Sequence, residues 1–305
     1  MIRIPALRAV ALCLLATPAL ADLDTALDGH VLPRLDALVA STAALAHVAA
    51  TCDPNATRTA WIDAFAAWAA AQHLALGPGE VDGRWQAIAF WPDDRDATGR
   101  GLSRLLASDD LSPEAIARGS VAARGLMALE RLLWEVDPPC PTTLALAGDL
   151  AMTTADVRAG WDGFSAEMRN AGSSDSRRFL STDEAEAALF TALMGGLSHT
   201  AEKRLGRPLG SFDRPRPSMA EARRSGQSQA AIVTALTSLR ELAATLAPAP
   251  RTDAALATAL DSAETLGEPD LGGVADSARR IRIEALRTDV ETAIRYAAEE
   301  IGTAL

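Results

Sequence analysis

Apolar residues recur every three to four positions along almost the whole chain, which is the spacing of one helix face, and no run of alternating Val, Ile or Thr breaks it. This pattern predicts a long helix over 22–50, bent or entered at Pro33. A second helix should be capped by Asp53, with Pro54 in its first turn and Trp61, Phe65 and Trp68 as a core stripe at i, i+4 and i+7. It should run to Gly77-Pro78-Gly79. An irregular stretch then leads through Trp91-Pro92-Asp93-Asp94-Arg95-Asp96, long for a connection inside a helical bundle and therefore a candidate for function. A short helix over 101–108 and a longer one over 113–135 follow. The break Asp137-Pro138-Pro139-Cys140-Pro141 suggests a boundary, after which helices are expected over 143–171, 182–205, 218–246, 252–266 and 274 onward. The expected fold is all-α, two helical bundles in one chain over 22–140 and 141–305.

Composition narrows what such a fold can do. The first 21 residues carry Arg3 and Arg8, an apolar run and Pro18-Ala19-Leu20-Ala21, the layout of a cleavable signal peptide. Cys13 follows Leu12, where a lipidation site would need a small residue, so lipidation is not expected. The apolar run is too short to span a bilayer, and no other stretch reads as a transmembrane segment. Losing Arg3 and Arg8 takes the net charge from −11 to −13, which disfavours nucleic acid and anionic membranes as partners. A periplasmic location is expected. In an oxidising compartment, Cys52 and Cys140, both in Pro-bearing loops, are expected to pair, two buried free thiols being the other reading.

The residue that stands out is Glu130. In "RGLMALERLLW" it falls inside the apolar arc of the helix, between Leu126 and Leu133 on one side and Met127 and Trp134 on the other. A buried carboxylate requires a partner, since stranding it costs several kcal/mol. A salt bridge from Arg84 is the structural reading. In the functional reading Glu130, Glu80 and Asp82 line an acidic pocket, near Trp91 and Asp93, for a cation or small ligand. His73 lies closest in sequence to that loop, although a hydrogen-bonded histidine is the plainer role. Lys203 and Arg207 belong to a basic cluster after His199: a solvated helix end, or the rim of a site between the bundles. No zinc-protease helix, nucleophile elbow or phosphate loop is present.

At these residues the chain resembles a known family. Gly125-Leu126-Met127-Ala128-Leu129-Glu130 is similar to the G-x-H-x-x-E signature of imelysin-like proteins. The resemblance extends to "WAAAQHLALGPGEVDGRWQAIAFWPDDR" and "EKRLGRPLGSFDRPRPSMAEARRSGQS". It implies an exported all-helical protein with a pocket at the interface of two bundles, in a family classed as metallopeptidases and linked to iron acquisition. Met127 stands at the histidine position, and a thioether is a poor ligand for a hard cation and cannot shuttle protons. The expectation is therefore a non-catalytic binding role in iron uptake, with iron or another metal or a small ligand bound and envelope transport proteins as partners. A metal-dependent peptidase is the alternative.

Overall fold

A computed structural model describes residues 23–304; the proposed signal peptide lies outside the described residues. Every regular element among them is helical, with isolated bridges between Ala89 and Gly125 and between Ser211 and Arg214. Helix α1 spans Leu23–Ala49. A π-helical turn, Leu27–Val31, sits directly ahead of Pro33, whose missing N–H interrupts the α-helical ladder, and the helix continues past it. By length and composition α1 is apolar enough to cross a membrane, contrary to the sequence expectation. Its packing explains the composition: Leu27, Val31, Leu35, Leu38 and Leu45 are buried in the core. Asp24, Asp28 and Asp36 on its outer face pair with Arg169 and Arg158.

Helix α2, Pro54–Ala71, begins as its sequence predicts, with Asp53 Oδ1 accepting the N–H of Asn55 and Ala56 at 2.9 and 3.2 Å. Its tryptophan stripe is core, and Trp61 Nε1 donates to the Leu126 carbonyl at 2.9 Å. Short helices α3 (Arg84–Ile88), α4 (Ala97–Leu106) and α5 (Pro113–Arg118) lead to α6, Gly125–Glu135. The single helix expected over 113–135 is thus divided. Gly125 has φ +68°, and a Cβ there would strike the carbonyl oxygens of Ala87 and Ile88, so the backbone turns at a point only glycine tolerates.

Helix α7 covers Cys140–Arg169, and α8, Thr182–Ser198, passes into a second π-helical segment, His199–Leu205. Helices α9 (Ser228–Leu246), α10 (Pro250–Glu264) and α11 (Ser277–Glu300) complete the chain. Helices α1, α2, α6 and α7 pack as one group and α8 to α11 as another, with α9 also lying on α2. Helix α7, which follows the Pro-rich break at 137–141, packs against α1. Cys140 marks a covalent tie: it is bonded to Cys52 with the Cα atoms 5.2 Å apart, joining the start of α7 to the loop before α2.

Candidate ligand cleft

One cleft, of about 390 Å³, opens where three pieces of chain meet: the 90–98 loop, the exposed edge of α6, and the 218–224 segment. The loop is held by Asp93, whose two carboxylate oxygens accept the N–H of Ala97 and Thr98 at 2.8 Å each and so cap α4. Burial pushes the Asp93 carboxyl up, and the Thr98 and Ala97 N–H groups outweigh it, so its pKa is lowered. The Trp91–Pro92 peptide is cis, and Trp91 lines the cleft with its ring in edge-on contact with the His199 ring, centroids 5.6 Å apart.

Glu130 is 1% exposed and lines the cleft wall. Its Oε1 accepts both the N–H and the hydroxyl of Ser225, at 3.0 and 2.9 Å, while Oε2 faces the Arg224 guanidinium at 3.9 Å. Burial raises the Glu130 pKa; Ser225 and Arg224 pull against it without cancelling the rise. Arg224 also pairs with Glu135 at 2.6 Å, and Glu135 with Arg131 at 2.7 Å. Arg131 reaches Asp96, and Arg207 and Arg216, from the chain between α8 and α9, converge on Asp94. The wall is therefore a lattice of compensated charges, with no strongly negative floor.

A family model described as Imelysin, from among the peptidase families, matches residues 30–296. The chain belongs to the imelysin family. Among solved structures, an imelysin-like protein from Psychrobacter arcticum 273-4 superposes with a TM-score of 0.79 at 19% identity, covering 93% of this chain and 94% of the other. A protein called an iron-regulated protein A precursor, from Parabacteroides distasonis ATCC 8503, gives 0.69 at 14% identity, covering 94% and 97%. At these identities the likeness is one of fold. No curated protein matches the chain.

In this imelysin the structure gathers Glu130, Met127, Trp91 and Asp93 on the cleft, and brings Arg207 to its rim through Asp94. Gly125 acts one step back, setting the start of α6 against the 87–89 backbone. The remaining candidates lie elsewhere. Arg84 is not the partner of Glu130: it opens α3, while the Glu130 carboxyl turns to Ser225 and Arg224. Glu80 is exposed and binds back to the N–H of Gly77 at 3.2 Å, and exposed Asp82 sits in a left-handed turn at φ +53°. Neither lines the cleft. His73 faces His30 within the core, Nε2 to Nε2 at 3.0 Å, and Lys203 lies on the π-helical segment near His199 without lining the cleft. Among the described residues, no group of three or more His, Cys, Asp or Glu side chains could hold a metal ion. The acidic trio of Glu80, Asp82 and Glu130 is not assembled.

Sequence reasoning missed Ser225, Arg224 and Met219. The pattern extended α9 back to Ser218, whereas the helix starts at Ser228 and is preceded by a short 3₁₀ turn, Pro217–Met219, and irregular chain over 220–227. Gly226, at φ +70°, was the available cue.

Proposed function

We propose that this imelysin is an exported, non-catalytic binding protein of metal acquisition that takes its ligand in the Glu130 cleft. The observation that carries the reading is Glu130 itself. A carboxyl buried on an apolar helix face at the wall of a cleft, gripped on one oxygen by two Ser225 donors and faced on the other by Arg224, is a group kept in place for recognition. The Cys52–Cys140 bond supports export to an oxidising compartment, the periplasm. Iron enters through the family resemblance and through the iron-regulated protein that shares the fold.

Peptidase chemistry requires a bound metal and an activated water. The donor set does not fit a hard or borderline ion held by protein groups alone, since no three His, Cys, Asp or Glu converge among the described residues and Met127 stands where the family signature carries histidine. Iron would therefore arrive as a complex whose own chelator supplies ligands. Melting curves with ferric citrate, citrate alone and zinc test the binding reading. Ferric citrate is expected to raise the melting temperature of the wild type and to lose that effect in Glu130→Gln. Zinc-dependent, chelator-sensitive cleavage of an unfolded protein, abolished in Glu130→Ala, would overturn it in favour of the peptidase.

A further inference from the structure

We infer that the Glu130 cleft reads the carboxylates of a small organic polyacid through the guanidinium groups of Arg223 and Arg224, and that any metal the acid carries is not touched by the protein. The inference rests on the cleft being the ligand site and names what the cleft grips.

Arg223 and Arg224 are consecutive residues of the turn that precedes α9, and both line the cleft. Each is anchored through Nε. Arg223 Nε donates to the Ser218 carbonyl at 3.1 Å, and Arg224 Nε donates to Glu135 Oε1 at 2.6 Å. Among the described residues neither side chain spends a terminal nitrogen on a hydrogen bond, and Arg224 Nη1 stands 3.9 Å from Glu130 Oε2, too far to donate. Guanidinium is a planar fork of five N–H donors, so fixing Nε leaves Nη donors for a carboxylate, which guanidinium binds in a matching plane.

The balance of charge favours an anion. Asp94 and Asp96 are bound by Arg207, Arg216 and Arg131, and Glu135 is shared between Arg131 and Arg224. Asp93 is engaged by the N–H groups of Ala97 and Thr98. Burial raises the pKa of Glu130, which weakens its hold on Arg224. No carboxylate among the described residues pairs with Arg223, whose charge is left for a ligand. Glu130 is then a positioning residue: it holds Ser225 next to the arginines and faces Arg224. Phe90 and Trp91 supply apolar surface for the carbon skeleton, and a cleft of about 390 Å³ admits an acid of the size of citrate.

The test is isothermal titration at low ionic strength with three probes: citrate alone, gallium(III) citrate and ferric citrate. All three are expected to bind the wild type, because the acid and not the metal is read. Arg223→Gln removes a half-buried side chain with one hydrogen bond and should melt near the wild type, yet it should weaken binding of every probe by roughly tenfold or more. Arg223→Lys keeps the charge without the fork and should recover only part of the loss. Arg282→Gln, exposed and outside the cleft, should bind as the wild type does. Metal complexes that bind while citrate alone does not, or affinities unchanged in Arg223→Gln, overturn the assignment. If either happens while Glu130→Gln still abolishes the ferric citrate response, the carboxylate inference falls and the cleft-binding reading stands. If no probe binds the wild type, both fall.

Discussion

Glu130 shows how one residue's chemistry depends on which neighbour supplies the donors. Its carboxyl is raised above the ordinary value of 4.5, chiefly by burial, so the folded state holds this proton more tightly than the unfolded chain does. Its contribution to stability therefore grows as pH falls through the folded pKa toward 4.5 and is lost at higher pH. Gln can accept the same two Ser225 donors without being charged. Glu130→Gln is accordingly expected to unfold at the same or higher urea concentration than the wild type at pH 7, and to lose this group's pH gradient. Marked destabilisation would mean that the Arg224 attraction outweighs the burial penalty. Gly125→Ala should lower unfolding free energy by about 2 kcal/mol or more, because it adds left-handed strain and a backbone collision at one point. Equilibrium urea curves measure both.

Among the elements, the 218–227 segment is fastened by a buried ion pair. Arg204, on the π-helical segment, and Glu221 are both almost fully buried, with Nε and Oε2 2.6 Å apart. Removing one charge strands the other, whereas removing both leaves an apolar contact. Arg204→Met should cost about 3–5 kcal/mol, and Arg204→Met with Glu221→Met should recover much of it, as read by a double-mutant cycle in urea. Loosening this segment would also displace Ser225 and Met219, so the single variant should blunt any ligand response. The Cys52–Cys140 bond closes a loop with a sequence separation of 88 residues. Chain entropy assigns such a bond roughly 4–5 kcal/mol, and the double serine variant should show a loss of that order on thermal melting.

Across the whole molecule, three histidines are held neutral, His30 and His73 buried and His199 half-buried. Burial, reinforced by Arg34, holds His30 down at about 4; burial, with Arg204 and Lys203, holds His199 at about 3. His73 is pushed well below its ordinary range by burial and then by His30, Arg34 and Arg204. The unfolded chain takes up these protons near 6.5, so the stability they contribute is present above that pH and lost as pH falls toward the folded values. Glu130 opposes this trend but is one group against three. The melting temperature is expected to fall between pH 7 and pH 5. His199, whose Nε2 is buried without a hydrogen-bond partner, offers the cleanest check: His199→Leu should reduce the slope by up to ~1.4 kcal/mol per pH unit below about pH 6. An unchanged slope would show that His199 titrates normally in the fold.

What the sequence determined by itself is whatever short-range physics decides. Helical periodicity, the Asp53 cap, the tryptophan stripe and the inward placement of Glu130 all depend on residues within a turn or two of one another, and each is present in the fold. The Cys52–Cys140 pairing was legible for another reason, since these are the only two cysteines among the described residues. The partners of Glu130 were not legible. Ser225 lies 95 residues along the chain, and Arg84, a cation of the loop, competes equally well on paper. Only the packing of α9 on α2, with the irregular segment folded over α6, brings Ser225, Arg224 and Met219 to the cleft and leaves Glu80, Asp82 and His73 outside it. A helix face can be read from its own residues; the charge or donor that meets it is chosen by long-range packing, because many distant residues are chemically able and only the fold places one of them within 3 Å.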